Sequence, residues 1–167
     1  MDEYMIVMRI IHIVAGVFWV GSTMLFVLFL EPSAAELGPN GGPFMGHLAN
    51  KKKLPTVLLV ASVTTIVAGA LLYWRTSSGL DMDWMKSGPG SGFTAGAIAA
   101  IVAWLIGFTI LRPGMGRLAG MRQRLGSGDA SVRADAESLQ RRLRIAGLTN
   151  VSLLTLSVVL MASARYL

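Results

Sequence analysis

The stretch LPTVLLVASVTTIVAGALLYW, residues 54–74, runs for 21 positions without one Asp, Glu, Lys or Arg. A helix on the surface of a water-soluble domain carries a polar stripe that returns every 3.6 residues. Here the only polar relief within the run is a few Ser and Thr, so all sides of the helix must face an apolar medium. About 20 helical residues cross the hydrocarbon core of a bilayer, and this stretch has that length. Three further stretches read the same way: Tyr4–Leu30, Phe93–Leu111 and Ile145–Ala162. The sequence therefore predicts an all-α fold, a four-helix transmembrane bundle in up-down order.

Four spans and their connections account for the 167 residues as a single integral membrane domain, residues 1–167, with no second soluble domain. Apolar residues make up 53% of the chain, and the mean hydropathy is +0.59. Cysteine is absent, which excludes disulfides, thiolate metal sites, iron–sulfur clusters and cysteine nucleophiles. The first apolar run is too long for a cleavable leader and follows acidic Asp2 and Glu3, so it is expected to stay in the mature protein.

The net charge of +6 is unevenly spread. Eleven of the fifteen Lys and Arg lie in two loops: Lys51, Lys52 and Lys53 in the first, and Arg112, Arg117, Arg122, Arg124, Arg133, Arg141, Arg142 and Arg144 in the third. The face carrying the termini holds Arg9, Arg75, Lys86 and Arg165 among Asp2, Glu3, Asp81 and Asp83. Positive charge is retained on the cytoplasmic side. The expected location is thus the bacterial inner membrane, multi-pass, with both termini outside. The basic charge then belongs to loops beside anionic headgroups, and nucleic acid is not expected as a partner.

Local signals fill in the connections. Arg75–Ser91 is rich in Gly and Ser and reads as irregular, while Glu31-Pro32 is expected to end the first helix. Pro113-Gly114 should end or kink the third. Beyond it Leu118, Met121 and Leu125 recur at helical spacing, Gly126-Ser127-Gly128 supplies a turn, and Ser131 is a candidate cap for a helix running into the fourth span. Glu137 and Arg141 stand one turn apart as an expected ion pair. Together these predict a basic cytoplasmic helical hairpin between spans three and four.

Within lipid, helices associate through small residues that permit close approach. Gly96, Ala100, Ala103 and Gly107 form such a stripe on the third span, Ser62, Thr65 and Gly69 on the second, and Gly16 and Gly21 are available on the first.

An ionisable side chain inside a span is costly and marks a functional candidate. The first span has two, Arg9 and His12. At 1.5 Å per residue His12 lies roughly 12 Å inward from Tyr4, with Arg9 one turn nearer the surface and Gly16 and Trp19 continuing inward. A neutral imidazole ligates haem iron, a glycine lets a flat macrocycle approach the backbone, and an arginine pairs a propionate. Cofactor-binding candidates are therefore His12, Arg9 and Gly16, with Met161 of the fourth span near the same depth as a second axial ligand. As a metal ligand His12 stands alone, because His47 lies on the opposite face, on the order of 25 Å away, and reads as a solvated residue beside three lysines. The alternative for His12 is a hydrogen bond to a neighbouring helix. Met1, Met5, Met8, Met82, Met85 and Met161 near the termini face add a second chemistry, since thioether and imidazole ligands select Cu(I). Phosphate-cradling loops, paired intramembrane acids and His-Glu-x-x-His are missing, so enzymatic activity is not indicated by any such motif.

His12 with Gly16, Trp19 and Gly21, then Phe44-Met45 and Leu48 with the basic run, Pro55, and Thr64/Thr65 with Gly69, resembles the small membrane proteins around the HemJ-type protoporphyrinogen oxidases and the CopD-like copper-resistance domains. The resemblance covers mainly the first two spans. It implies haem b held by the first-span histidine, here His12. HemJ-type enzymes also carry a lysine at the start of the third span; the nearest lysine, Lys86, lies in the preceding loop, and the third span has none. The expectation is a haem-b membrane protein for electron transfer or haem-linked oxidation, with copper handling as the alternative. A further alternative is a non-catalytic membrane subunit whose basic hairpin docks a partner. Bundles of this size also invite a homo-oligomer or a partner membrane subunit.

Overall fold

A computed structural model describes residues 2–124 and 130–167; Leu125 and the Gly126–Gly128 turn lie outside these described residues. The described chain is almost entirely helical and contains no strand. Eight α-helices follow in order: α1 (Glu3–Leu25), α2 (Glu31–Glu36), α3 (Gly41–Gly46), α4 (Leu54–Thr76), α5 (Met82–Lys86), α6 (Gly88–Ile106), α7 (Arg112–Arg124) and α8 (Ala130–Ser163). Four helical runs are long and apolar enough to cross a membrane, and only 11% to 28% of their most apolar windows is buried within the chain. Ile10, Val14 and Val17 on α1 and Val60 and Val67 on α4 are more than half exposed. Such surfaces are compatible with lipid around them.

The bundle is built from two tight antiparallel pairs, α1 with α4 and α6 with α8. Along α8 and the 3₁₀ turn that follows it, Ala164–Tyr166, the inward residues are Ala136, Gln140, Leu143, Gly147, Asn150, Leu154, Ser157, Met161 and Ala164. Their spacing alternates four and three, the 3.5-residue period that keeps one seam facing a partner. The facing seam of α6 is Gly92, Gly96, Ala99 and Ala103. Ala99 is buried on that seam and Ala100 half-buried beside it; the expected stripe has the same alternation of four and three, with its three-residue step placed one interval later. A Cβ on Gly96 would lie 2.8 Å from Met161 Cγ, so glycine there sets the distance of approach. Ser157 Oγ donates to the Gly96 carbonyl at 2.8 Å, and Asn150 Nδ2 to the Ala103 carbonyl at 2.6 Å. The two pairs meet around Trp19, Ala103 and Leu154, a buried cluster contributed by three of the four long helices.

At the arginine-rich end neither proline stops its helix. The chain passes through π-helical turns at Phe26–Leu30 and Gly107–Leu111, each ending two residues before a proline, Pro32 and Pro113. Glu31 N–H bonds Phe26 O, and Arg112 N–H bonds Gly107 O, each five residues back. The extra residue in the turn absorbs the missing proline N–H, and the helix continues. The first loop is helical as well, through a short 3₁₀ turn at Gly38–Asn40, α3 and a π-helical turn at His47–Lys51. It stops at Lys53, whose φ of 51° is left-handed.

At the termini end the Arg75–Ser91 connection is more ordered than its composition predicts. Asp81 caps α5 by accepting from the Asp83 and Trp84 amides, and Ser87 caps α6 by accepting from Gly90 N–H. Tyr73 Oη and Thr94 Oγ1 share a 2.5 Å hydrogen bond between α4 and α6. Two further expectations are corrected. Glu137 pairs with Arg133 at 3.2 Å instead of Arg141, since that partner is also one turn away. Ser131 lies inside α8, which already includes Ala130.

Candidate functional site

His12 sits half-buried on the seam between α1 and α4. Its Nδ1 lies 2.8 Å from the Thr65 carbonyl oxygen. A carbonyl only accepts, so Nδ1 carries the proton and the lone pair of the neutral ring is on Nε2. Thr65 Oγ1 donates to the Ala61 carbonyl at 2.8 Å, which orients the threonine on the same helical turn. The ring lies against Gly69: a Cβ there would be 2.7 Å from His12 Cε1 and 2.9 Å from Nδ1, but 3.8 Å from Nε2. Of these three ring atoms Nε2 is the farthest from Gly69. An imidazole whose second nitrogen is fixed by a backbone carbonyl is the usual arrangement of a histidine metal ligand.

The other three candidate residues fall apart from this ring in different ways. Gly16 faces Thr65, with 3.4 Å between a would-be Cβ and Thr65 Cγ2. Arg9 is exposed, off the seam that His12 occupies. Met161 belongs to the other helix pair, packed against Gly96. Gly21 has nothing within 4 Å of its would-be Cβ and faces outward. His47 is exposed. Among the described residues no three His, Asp or Glu side chains gather as a metal-binding group.

Against a macrocycle, the donor chemistry of His12 fits one axial bond. The cradle does not fit within a single chain, because Thr65 occupies the Gly16 notch and the imidazole itself occupies the Gly69 notch.

A second concave site lies in the arginine-rich half. A cavity of about 170 Å³ runs from Trp19 and Ala103 at the centre of the bundle to Glu31 and Arg112 at its rim. Both π-helical turns contribute to its wall, through Phe26 and Val27 on one side and Gly107, Phe108 and Leu111 on the other. The turns leave two carbonyls without a donor in their own helices. Val27 O loses Glu31 N–H to Phe26 O, and its next donor would be Pro32, which has no N–H. Arg144 Nη1 fills that place by donating to Val27 O, and it also stands 3.7 Å from Glu31 Oε2. Phe108 O is in the same position relative to Arg112 and Pro113. Trp104 stacks on Phe108, with centroids 5.3 Å apart and planes 7° from parallel, and the Arg112 guanidinium lies 5.8 Å over the Phe108 ring. Trp104 Nε1 is buried with no hydrogen-bond partner among the described residues.

No family model, curated protein or solved structure matches this chain.

Sequence reasoning pointed at His12 and missed the cavity. The available signal was the repeated Leu-charged-Pro motif, Leu30-Glu31-Pro32 and Leu111-Arg112-Pro113, which places a helix-interior proline and a charged residue at the same level of two spans. Read as two helix ends it says nothing. Read as two register shifts, it marks bared carbonyls facing one interior.

Proposed function

We propose that this chain is a multi-pass protein of the bacterial inner membrane, with its termini outside and its arginine-rich end in the cytoplasm. In this reading His12 would hold a b-type haem through its Nε2, and a second copy of the chain or a partner membrane subunit would supply the rest of the site. Its role is electron transfer or haem-linked oxidation, as the resemblance to the HemJ and CopD-like group suggests.

One observation supports the reading: the Nδ1 contact of His12 to the Thr65 carbonyl at 2.8 Å leaves the lone pair of the neutral ring on Nε2. The haem, when bound, supplies one-electron chemistry. The chain's own residues fix the imidazole through Thr65 and hold it against Gly69. Arg9, exposed on the turn nearer the surface and without an ion pair or hydrogen bond among the described residues, is available to a carboxylate. The distribution of arginine supports the orientation.

The test is the visible spectrum of the detergent-purified protein after expression with haem supply. The expected result is a Soret band that disappears in His12→Ala and persists in Met161→Leu. A colourless wild-type protein under those conditions overturns the haem reading. Loss of colour in Met161→Leu with His12 intact overturns the placement of the second ligand outside the chain.

A further inference from the structure

We propose that the outward face of α8 holds one anionic phospholipid, with its phosphate between Arg141 and Arg142 and one acyl chain along the groove that starts beside them. The inference needs only that the spans lie in a bilayer. It is independent of haem at His12 and of which end of the bundle faces the cytoplasm.

The groove is lined by Ile145, Leu148, Thr149, Ser152, Leu153 and Leu156, all on α8. At about 100° per residue these six centre on a line opposite the inward seam of Leu143, Gly147, Asn150 and Leu154. Ile145 is 61% exposed, Leu148 39% and Leu156 48%, so the groove opens away from the bundle. Thr149 and Ser152 are exposed too, and their short side chains lie between the four aliphatic ones. From Ile145 to Leu156 the groove measures about 16 Å. One leaflet contributes about 15 Å of the hydrocarbon core, so the groove has the length of a chain that crosses one leaflet.

Arg141 and Arg142 stand one turn beyond the end of the groove at Ile145, about 50° to either side of its line. Both are exposed, and neither has an ion pair among the described residues. Nearby acids do not neutralise them. Glu137 holds Arg133 at 3.2 Å, and Glu31 stands 3.7 Å from Arg144. Asp135 lies about 9 Å beyond Arg141 along the helix.

Guanidinium groups bind phosphate oxygens through charge-assisted hydrogen bonds, and the aliphatic groove beside them suits an acyl chain. Charge and groove together select a lipid over free phosphate. A zwitterionic headgroup would bring its own ammonium up to the two arginines, whereas an anionic one would not, so the pair selects anionic lipid. A second copy of the chain is a poor occupant. Copies in one membrane point the same way, and a two-fold contact through this face would set Arg141 and Arg142 against the same pair of the other copy. Like charges juxtaposed there repel.

The experiment uses the full chain, which has no cysteine, so that Val159→Cys accepts a single bimane label. Val159 is 57% exposed, lies about one turn past Leu156 on the same face, and does not line the groove. The labelled protein is placed in phosphatidylcholine nanodiscs, in which a small share of the lipid is phosphatidylglycerol or phosphatidylcholine with brominated acyl chains that quench on contact. The expected result is quenching by brominated phosphatidylglycerol that saturates at a low share, while brominated phosphatidylcholine quenches in proportion to its share. Replacing both arginines, Arg141→Gln with Arg142→Gln, should weaken the phosphatidylglycerol site about 30-fold. The same label at Val14→Cys, on the exposed face of α1, should show no preference between the lipids. Equal quenching by the two lipids at Val159→Cys, or a preference that survives the double substitution, overturns the proposal. So does a label that neither lipid reaches, which would mean that another helix covers the face. The comparison of lipids is made with both arginines in place, so it decides the matter even if the double variant fails to fold.

Discussion

Replacing Arg144 by Met tests the account of the register-shifted turn. Arg144 Nη1 donates to the Val27 carbonyl, which has no donor within its own helix because Glu31 N–H is turned to Phe26 O and Pro32 has none. Removing the guanidinium leaves that carbonyl unmade, at about 1–3 kcal/mol. It also removes the 3.7 Å pair with Glu31. With side chains 37% and 24% exposed, that pair contributes no more than about 0.5–1 kcal/mol. The expected loss is about 2–3 kcal/mol. Pro32→Ala returns an N–H that can reach Val27 O, or lets Glu31 N–H return to it. Against that background Arg144→Met should cost only about 1 kcal/mol, a coupling of about 1–2 kcal/mol. The assay is a double-mutant cycle of reversible unfolding in mixed detergent, followed by far-ultraviolet circular dichroism. Equal losses in the two backgrounds would refute the idea that Arg144 replaces the N–H that Pro32 lacks.

Gly69→Ala, whose Cβ would meet His12 Cε1 at 2.7 Å, should lower thermal stability by about 1–3 kcal/mol through overpacking; Gly21→Ala, with nothing within 4 Å, should not lower it, and equal effects would show that the seam lies elsewhere. Ser157→Ala removes the 2.8 Å bond to the Gly96 carbonyl and should cost about 0.6–1.7 kcal/mol, the range found for hydrogen bonds between membrane helices, measured by the same unfolding assay. Because the chain has no cysteine, single replacements report orientation against a clean background. Ser78→Cys should react with a membrane-impermeant maleimide on intact cells, and Arg117→Cys only after permeabilisation; the reverse pattern would invert the bundle.

The spans were legible because a bilayer imposes a length and a composition that residues 54–74 and their three counterparts satisfy without reference to one another. The points where helices stop were not. Pro32 and Pro113 are helix breakers by local chemistry, and what carries each helix through is a π-helical turn just before the proline, with, at the first, an arginine 117 positions away in sequence filling the bared Val27 carbonyl. Ala99 replaced Ala100 on the third span because the phase of a seam, unlike its period, is set by the helix packed against it. His12 was visible as a lone imidazole among apolar residues. The hydrogen bond to a neighbouring helix, given as the alternative for this ring, is present; which atom accepts it, the Thr65 backbone carbonyl, was not legible, because a main-chain acceptor leaves no mark on the sequence. Trp104 reads as one more apolar residue until the neighbours of its N–H are known.

Helix α4 differs from the other three spanning runs in having fixed limits. It holds 23 residues and is bounded by left-handed residues at Lys53 and Ser78, both with φ of 51°, whereas the others run for 34 to 36 residues. At 1.5 Å per residue α4 measures about 35 Å against roughly 50 Å for α8. In a bilayer the short rod would gauge the thickness of the film while the long ones would overhang it. A thinner membrane tilts a span that cannot shorten, and a tilt of about 20° would swing the tip of an overhang of about 15 Å sideways by roughly 5 Å. Film thickness is thereby converted into lateral travel of the guanidinium-laden tips.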